Sequence, residues 1–114
     1  MTSTPYCTAS DVRVLTGVTE AMLSDVDIAS LIALSDQQVD DDLGAQCSPV
    51  NTRIKHLSAL LTAIKIYTRP DLRGGFSVGD VTISSQQIEE SLNRWNGEVR
   101  RIYDFYEEVT LRMA

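Results

Sequence analysis

The sequence predicts a mainly α protein, a small bundle of about four helices with a short β-hairpin before a long C-terminal helix. Over most of the chain, apolar residues recur at spacings of three and four, as on one face of a helix. Between residues 75 and 83 they alternate instead, on either side of a glycine-containing pair, as in a hairpin. The chain of 114 residues has the length of one domain, so we expect 1–114 to fold as a unit.

The first two helices have start and stop residues of the expected kinds. Thr8 and Asp11 have the spacing of a capping box, with Asp in the usual Glu place, and Gly17 suits a left-handed helix end. Ser24 is the expected N-cap of the second helix, which should end at Gly44. Its predicted apolar stripe contains Ile28, Leu31, Ile32, Ser35, Val39 and Leu43.

The third helix is predicted to begin at Ser48-Pro49, since proline is tolerated at the first helical position. Apolar residues cover most of its circumference, so we expect it to be the central and most buried helix. Arg69-Pro70 should end it, because the residue before a proline avoids the helical region.

A β-hairpin is predicted over residues 75–83, with Gly79 and Asp80 as its two-residue turn. An isolated two-stranded hairpin is only marginally stable in water. We therefore expect it to pack on a helix or on a neighbouring subunit, which favours a component of an assembly over an enzyme. The residues expected to make these contacts are Phe76, Val78, Gly79, Asp80 and Val81.

The fourth helix is predicted to run over residues 85–112, a length of roughly 42 Å. Its apolar residues form a heptad stripe, the pattern of a helix that packs lengthwise against a partner. The members of this stripe are Ile88, Leu92, Trp95, Val99, Ile102, Tyr106 and Val109. Gly97 lies in mid-helix and indicates a bend or a close approach of another segment.

The far end of this helix is the predicted contact surface. Tyr103 and Phe105 lie off the apolar stripe and close to arginines along the chain. Aromatic residues and arginine are enriched in protein interfaces, although a plain solvated surface is the alternative. The predicted portal or subunit interface consists of Arg100, Arg101, Tyr103, Phe105, Tyr106 and Arg112.

The formal charge of −6 is unevenly distributed. Residues 24–43 contain six acids and no base, whereas residues 46–75 contain five bases and one acid. Segments of opposite sign can face each other within a subunit or between neighbouring subunits, and two solvated helix faces are the alternative. The excess of acids opposes tight nucleic-acid binding, which depends on basic surface.

The sequence contains no recognisable catalytic or metal site. His56 is the only histidine and stands in the apolar third helix, where we expect a structural or partly exposed side chain. Cys7 and Cys47 are expected to be free thiols, and these three residues do not make a common zinc ligand set. Residues 40–42 lack calcium-loop spacing, and phosphate-binding glycine motifs are absent. We therefore expect no enzymatic activity and no cofactor.

Membrane insertion and secretion are not predicted. Apolar runs stay well below the roughly 18–20 residues that a membrane span needs. Residues 1–9 lack a charged start followed by an apolar stretch, so we expect no signal peptide.

Five segments follow one another in a recognisable order. An opening helix at Tyr6–Gly17 precedes an acidic helix that contains Asp27–Asp36, and a capped central helix follows. A hairpin with the sequence Gly-Asp-Val-Thr-Ile at 79–83 then leads into the long C-terminal helix. This order, over nearly the whole chain, resembles the head–tail connector, or head-completion adaptor, proteins of tailed bacteriophages and related tailed viruses.

The resemblance implies a virion protein without chemistry of its own. Such a protein is made in the host cytoplasm and forms a ring of about twelve copies in the virion neck, beneath the portal. The ring extends the DNA channel and presents a docking surface for a stopper or tail component. The implied partners are copies of itself, the portal protein, the stopper or tail-completion protein, and DNA that passes through the lumen without sequence-specific binding.

The resemblance also assigns roles to three regions of this chain. The hairpin from Phe76 to Ile83 is expected to contact neighbouring subunits or the next ring, and the C-terminal helix is expected to dock on the portal. The acidic residues Asp40, Asp41 and Asp42 are expected to face the lumen, where negative charge repels DNA and lets it slide.

Two other classes of protein stay open. The segment Thr8–Leu43 can be interpreted as a helix-turn-helix of a small nucleic-acid-binding or regulatory protein. However, its second helix is acidic where a recognition helix needs Arg, Lys, Asn or Gln. An enzyme or enzyme subunit, with residues that meet only across an oligomer interface, is the third class. We rank the adaptor first, the regulator second and the enzyme third.

Overall fold

The computed structural model describes residues 5–44, 51–78 and 81–113, without the side chains of residues 71, 78, 81 and 109–113. Within this part of the chain the predicted mainly α class is confirmed, with a hairpin directly before a long C-terminal helix. The elements are α1 (Ala9–Thr16), α2 (Asp25–Leu43), α3 (Thr52–Tyr67), α4 (Pro70–Arg73), β1 (Gly75–Val78), β2 (Val81–Ser84) and α5 (Ser85–Met113).

Helix α1 begins with the predicted capping box. The Thr8 backbone N–H donates to Asp11 Oδ2 at 2.9 Å, and the Asp11 N–H donates to Thr8 Oγ1 at 3.3 Å. The Thr8 N–H bond holds the pKa of the Asp11 carboxyl below its ordinary value. Gly17 ends the helix at φ 74°, a left-handed conformation that glycine adopts without steric cost.

Helix α2 begins and ends where the sequence predicts. The Asp27 N–H donates to Ser24 Oγ at 3.2 Å, which caps the first turn. The helix ends before Gly44, whose φ is 57°. Its predicted stripe is confirmed, because Ile28, Ile32, Ser35 and Val39 are buried. Leu31 and Leu43 are half-buried against the same core.

Helix α3 begins at Thr52, and the prediction of a start at Ser48-Pro49 is wrong. The cap is Asn51, whose Oδ1 accepts the Ile54 N–H at 3.0 Å. Asn caps a helix as well as Ser does, so either residue satisfies the first free N–H groups. Residues 48 and 49 lie outside the described part of the chain. The predicted central position is confirmed, since most of the α3 side chains are buried and α1, α2 and α5 all pack on it.

The predicted end of α3 is also confirmed. The helix ends at Tyr67, and Arg69 takes an extended conformation before the proline. Pro70 then occupies the first position of α4, a single helical turn that the sequence analysis did not predict. One turn is too short to carry an apolar period, so the pattern of residues could not reveal it.

Helices α2 and α5 contact different faces of α3. Helix α2 bonds to the face that holds Ser58 and Thr62. Helix α5 contacts the face that holds His56 and Tyr67. Near the end of α2 the two helices also meet directly, since the Tyr103 hydroxyl donates to Asp42. Helix α3 therefore lies at the centre of a bundle, with α1, α2 and α5 packed around it.

The two strands pair antiparallel, and the innermost pair is Val78 with Val81. This register leaves two residues between the strands, in agreement with the predicted two-residue connection. Gly79 and Asp80 themselves lie outside the described residues, as do the side chains of Val78 and Val81. Of the five predicted contact residues of the hairpin, the structure thus describes the side chain of Phe76.

The hairpin packs on helices of its own chain. Phe76 is half-buried and meets the Tyr67 ring edge-on, with 5.8 Å between ring centroids. Gly75 has a φ of 106°, and a Cβ at this position would lie 2.8 Å from the Ile83 carbonyl oxygen. Only glycine fits the start of this hairpin, where the two backbones come close.

Helix α5 buries the predicted heptad stripe. The confirmed members are Ile88, Leu92, Trp95, Val99, Ile102 and Tyr106. The side chain of Val109 lies outside the described residues. With 29 residues the helix is about 43 Å long, which accounts for most of the 51 Å long axis of the molecule.

Candidate interaction surface

The far half of α5 lies beside the start of α3, because the two helices run antiparallel. The Trp95 ring contacts the Tyr67 ring at the end of α3, with 4.8 Å between centroids. The Tyr106 hydroxyl lies 3.5 Å from the Asn51 amide at the start of α3. The end of α2 reaches the same region. We call the residues gathered here the distal cluster: Asp42, Asn51, Arg53, Tyr103, Phe105 and Tyr106.

Phe105 is the exposed aromatic residue of the distal cluster. Its side chain is 40% exposed, as the sequence analysis expected for a contact residue. The Arg53 guanidinium lies over its ring, 3.8 Å from the centroid, and the Tyr106 ring meets it edge-on at 5.2 Å. This cation–π contact holds the exposed Arg53 side chain against the ring of Phe105.

The two tyrosines of the distal cluster are less accessible than Phe105. Tyr103 is half-buried, and its hydroxyl donates to Asp42 Oδ2 at 2.7 Å. Tyr106 belongs to the buried stripe and is only 5% exposed, so it supports the surface and presents almost none of its own. Tyr106 was predicted both as a member of the apolar stripe and as an interface residue. Its burial agrees with the stripe and leaves almost no side-chain surface for an interface.

Of the three arginines predicted for this interface, the structure describes the side chains of two. Arg100 and Arg101 are exposed, and neither belongs to an ion pair within the described residues. The side chain of Arg112 lies outside those residues. These two exposed arginines lie on one turn of α5 and form a positively charged patch there.

The three acids at the end of α2 are all exposed but point to different neighbours. The Tyr6 hydroxyl donates to Asp40, and the Tyr103 hydroxyl donates to Asp42. Asp41 Oδ1 accepts from Gln37 Nε2 at 2.9 Å. Two of these carboxylates therefore tie α2 to the N-terminal segment and to α5.

Arg13 is a structural residue that the sequence analysis missed. Its guanidinium donates to the carbonyl oxygens of Val18 and Leu23 at 3.0 and 2.9 Å, and to Asp25 Oδ1 at 2.7 Å. One side chain thus closes the loop between α1 and α2. No sequence signal could have revealed it, because two of its partners are loop carbonyl groups.

A second group that sequence reasoning missed joins the N-terminal segment, α2 and α3. Asp36 accepts the Ser58 hydroxyl at 2.6 Å and the Tyr6 N–H at 3.1 Å. Burial raises the pKa of the Asp36 carboxyl, although both hydrogen bonds oppose this shift. The sequence signal that could have indicated this group is that Asp36 directly follows Ser35, a member of the predicted apolar stripe of α2.

Cys7 lies at the edge of this group, with its Sγ 3.4 Å from Ser58 Oγ. Burial raises the pKa of its thiol, which keeps it protonated. Since the thiolate is the reactive form of cysteine, this arrangement favours packing over nucleophilic chemistry. Cys47 lies outside the described residues.

The described residues contain no group of three or more side chains that could hold a metal ion. His56 is exposed on α3, with its Nε2 4.0 Å from Glu98 Oε1 on α5. Among the helices in this part of the chain, none is long and apolar enough to cross a membrane.

The acids of α2 do not pair with the bases of α3 in the described part of the chain. The ion pairs found there are Arg13–Asp25, Lys55–Asp11 and His56–Glu98. Lys65 donates to Gln38 at 3.0 Å, and burial lowers the pKa of its amine. Among the described residues, the contacts between α2 and α3 that involve charged side chains are therefore hydrogen bonds, from Ser58 to Asp36 and from Lys65 to Gln38.

Comparisons of the chain with protein-family models, curated proteins and solved structures return no match.

Proposed function

We propose that this chain is a neck adaptor of a tailed virus, which forms a ring beneath the portal and joins the head to the stopper or tail. The ring, of about twelve copies, extends the DNA channel at the neck of the virion. The chain is made in the host cytoplasm and performs no chemistry. Its partners are further copies of itself, the portal protein and the stopper or tail-completion protein.

The order of the elements carries this proposal. A capped opening helix, an acidic helix, a central helix, a hairpin and a long C-terminal helix follow one another in the described part of the chain. The same order underlies the resemblance to head–tail connector proteins. The exposed Phe105 and the exposed arginines Arg100 and Arg101 support a binding role, because aromatic residues and arginine are enriched in protein interfaces.

The distal cluster supports portal docking by one end of the subunit. Phe105 and Arg53 form an exposed cation–aromatic pair there, and the core residue Tyr106 supports it from beneath. The hairpin contacts a different end of α3, next to Tyr67. The two ends of the subunit are thus available for two different rings, the portal on one side and the stopper or tail component on the other.

The acidic end of α2 supports a channel lining that repels DNA. Asp40, Asp41 and Asp42 are exposed together. Reversal of all three to lysine is expected to slow DNA release or to block particle assembly. Because Asp40 and Asp42 also accept the Tyr6 and Tyr103 hydroxyls, urea unfolding of the purified variant checks that it is folded. A matched reversal of Glu89 and Glu90, two exposed acids on α5, should leave both unchanged. Normal assembly and DNA release in the triple variant would contradict the lumen position.

The function is tested by removal of the chain from virus production. We expect DNA-filled heads and separate tails to accumulate, and purified chain added to these heads should restore attachment of the tails. Normal tailed particles in its absence would refute the adaptor. Tight binding of the purified chain to duplex DNA at low salt would favour the regulatory alternative instead.

A further inference from the structure

The outer side of α2 carries an apolar strip that no part of the described chain covers. Val26, Ser30 and Leu34 are spaced at four residues and share one face of the helix. Val26 is 75% and Leu34 is 60% exposed, unusually high values for such side chains. Asp27 stands beside this strip without an ion pair among the described residues. We call these four residues the α2 strip.

The outer side of α5 carries a patch of the opposite sign. Gly97 lies one turn before Arg100 and Arg101, and all three are exposed. A hollow of about 640 Å³ opens beside Gly97 and Arg100, and Tyr103 and Asp104 also line it. We call Gly97, Arg100 and Arg101 the α5 patch.

Gly97 has no internal reason to be glycine. It is helical, and a Cβ added there would meet no atom within 4 Å. Glycine in an exposed helix interior destabilises the helix relative to alanine. A close approach of another backbone at this position would explain the residue, because helix axes approach most closely where side chains are smallest.

The α2 strip and the α5 patch both stay exposed in the single chain. Each lies on the side of its helix away from α3, since α2 and α5 pack on α3 through other residues. The two surfaces therefore do not meet within one molecule. They can join one copy to the next, head to tail, and such contacts close into rings when the rotation fits.

We infer that the α2 strip of one copy docks on the α5 patch of the next copy. Leu34 enters the hollow beside Gly97, and Asp27 pairs with the arginines of the patch. This inference rests on the proposed ring, since it names the surfaces by which its neighbouring copies join. It leaves Asp40, Asp41 and Asp42 outside the contact. Of the distal cluster, Tyr103 lines the hollow, whereas Phe105 and Arg53 stay free for the portal.

The inference is tested by the mass of the purified chain in solution at millimolar concentration and low salt. The wild-type chain is expected to associate, and added salt should weaken the association because charged groups contribute to it. Replacement of Val26 and Leu34 by aspartate, or of Arg100 and Arg101 by glutamate, should each weaken association at least tenfold. Val14→Asp is the matched control, since Val14 is 85% exposed on α1 and lies outside both surfaces.

A mixture of the two variants distinguishes a head-to-tail contact from a symmetric one. Each variant retains one intact surface, so the mixture should form one-to-one dimers and nothing larger. Gly97→Ala, which favours the helix and therefore folds, should also weaken association. A wild-type chain that stays monomeric, or variants that associate as the wild type does, would overturn the inference.

The two sets of experiments distinguish failure of the proposed contact from failure of the proposed adaptor function. If the chain restores tails on heads while all variants do so equally, the adaptor stands and this contact is wrong. If association in solution follows the predicted pattern while virus production does not need the chain, the contact stands and the adaptor function is wrong.

Discussion

At the scale of single residues, the molecule depends on a few polar side chains that close its connections. Arg13 holds the loop between α1 and α2, Tyr67 donates its hydroxyl to the Thr16 carbonyl at 2.5 Å, and Asp36 joins three segments. All buried side-chain polar atoms in the described residues have a hydrogen-bond partner. A buried polar group without a hydrogen-bond partner lowers the stability of a protein, so loss of one partner should lower the free energy of unfolding.

Replacement of Arg13 by alanine is expected to lower the free energy of unfolding by about 2 kcal/mol, because it removes charged hydrogen bonds to two carbonyls and one carboxylate. Urea unfolding measures the change. Arg73→Ala, at an exposed arginine of α4, is the matched control and should be nearly neutral. Equal effects of the two substitutions would contradict the role of Arg13.

Asp36 gives a pH dependence with a definite sign. Its pKa in the folded chain lies above the ordinary value of 3.8 because burial disfavours the charged form. The protonated carboxyl therefore contributes to stability at pH values below the ordinary pKa of 3.8. This stabilisation is lost as the pH rises through the pKa of Asp36 in the folded chain. The variant Asp36→Asn cannot ionise and keeps one carbonyl acceptor.

We therefore expect the stability of Asp36→Asn, relative to the wild type, to increase as the pH is raised from about 4 towards 7. Unfolding by urea at a series of pH values measures this difference. A difference that is constant with pH, or that decreases as the pH rises, would show that burial does not govern the ionisation of Asp36.

At the scale of elements, capping decides where the short first helix begins. Helix α1 has only eight residues, so its capping box is a large part of its local stabilisation. We expect Thr8→Ala to lower the free energy of unfolding by about 1 kcal/mol. Ser10→Ala, at an exposed position within the same helix, should have little effect. Similar losses from both would argue against the box.

Gly97 makes α5 less stable than alanine at the same position would. Gly97→Ala is expected to stabilise the monomeric chain by about 1 kcal/mol, because its Cβ meets open space and alanine favours the helix. Thermal unfolding at low concentration, where the chain is monomeric, measures this gain. A loss of stability would mean that Gly97 serves the fold of the single chain.

The sequence predicted the elements that have local signals and missed those that depend on distant partners. Thr8 with Asp11, Ser24 and the heptad stripe from Ile88 to Tyr106 were readable, because caps and apolar periods are local properties. The start of α3 was misplaced because both Ser48 and Asn51 are good caps. The contacts of Arg13 and the pair formed by Arg53 and Phe105 join residues far apart in the chain, so no local pattern contains them.

At the scale of the whole molecule, the helix bundle leaves two complementary surfaces exposed. The outer side of α2 is apolar and acidic, whereas the outer side of α5 carries, beside Gly97, two arginines that form no ion pair among the described residues. An isolated monomer gains nothing from either surface. An oligomer that repeats one contact from copy to copy uses both, which agrees with the proposed ring.

The adaptor function is tested most directly by the number of copies of this chain in purified, DNA-filled virions, measured by quantitative mass spectrometry. The proposal predicts about a dozen copies per particle, in equal number to the portal protein. Absence of the chain from intact virions would contradict the adaptor and favour a regulatory role in the infected cell.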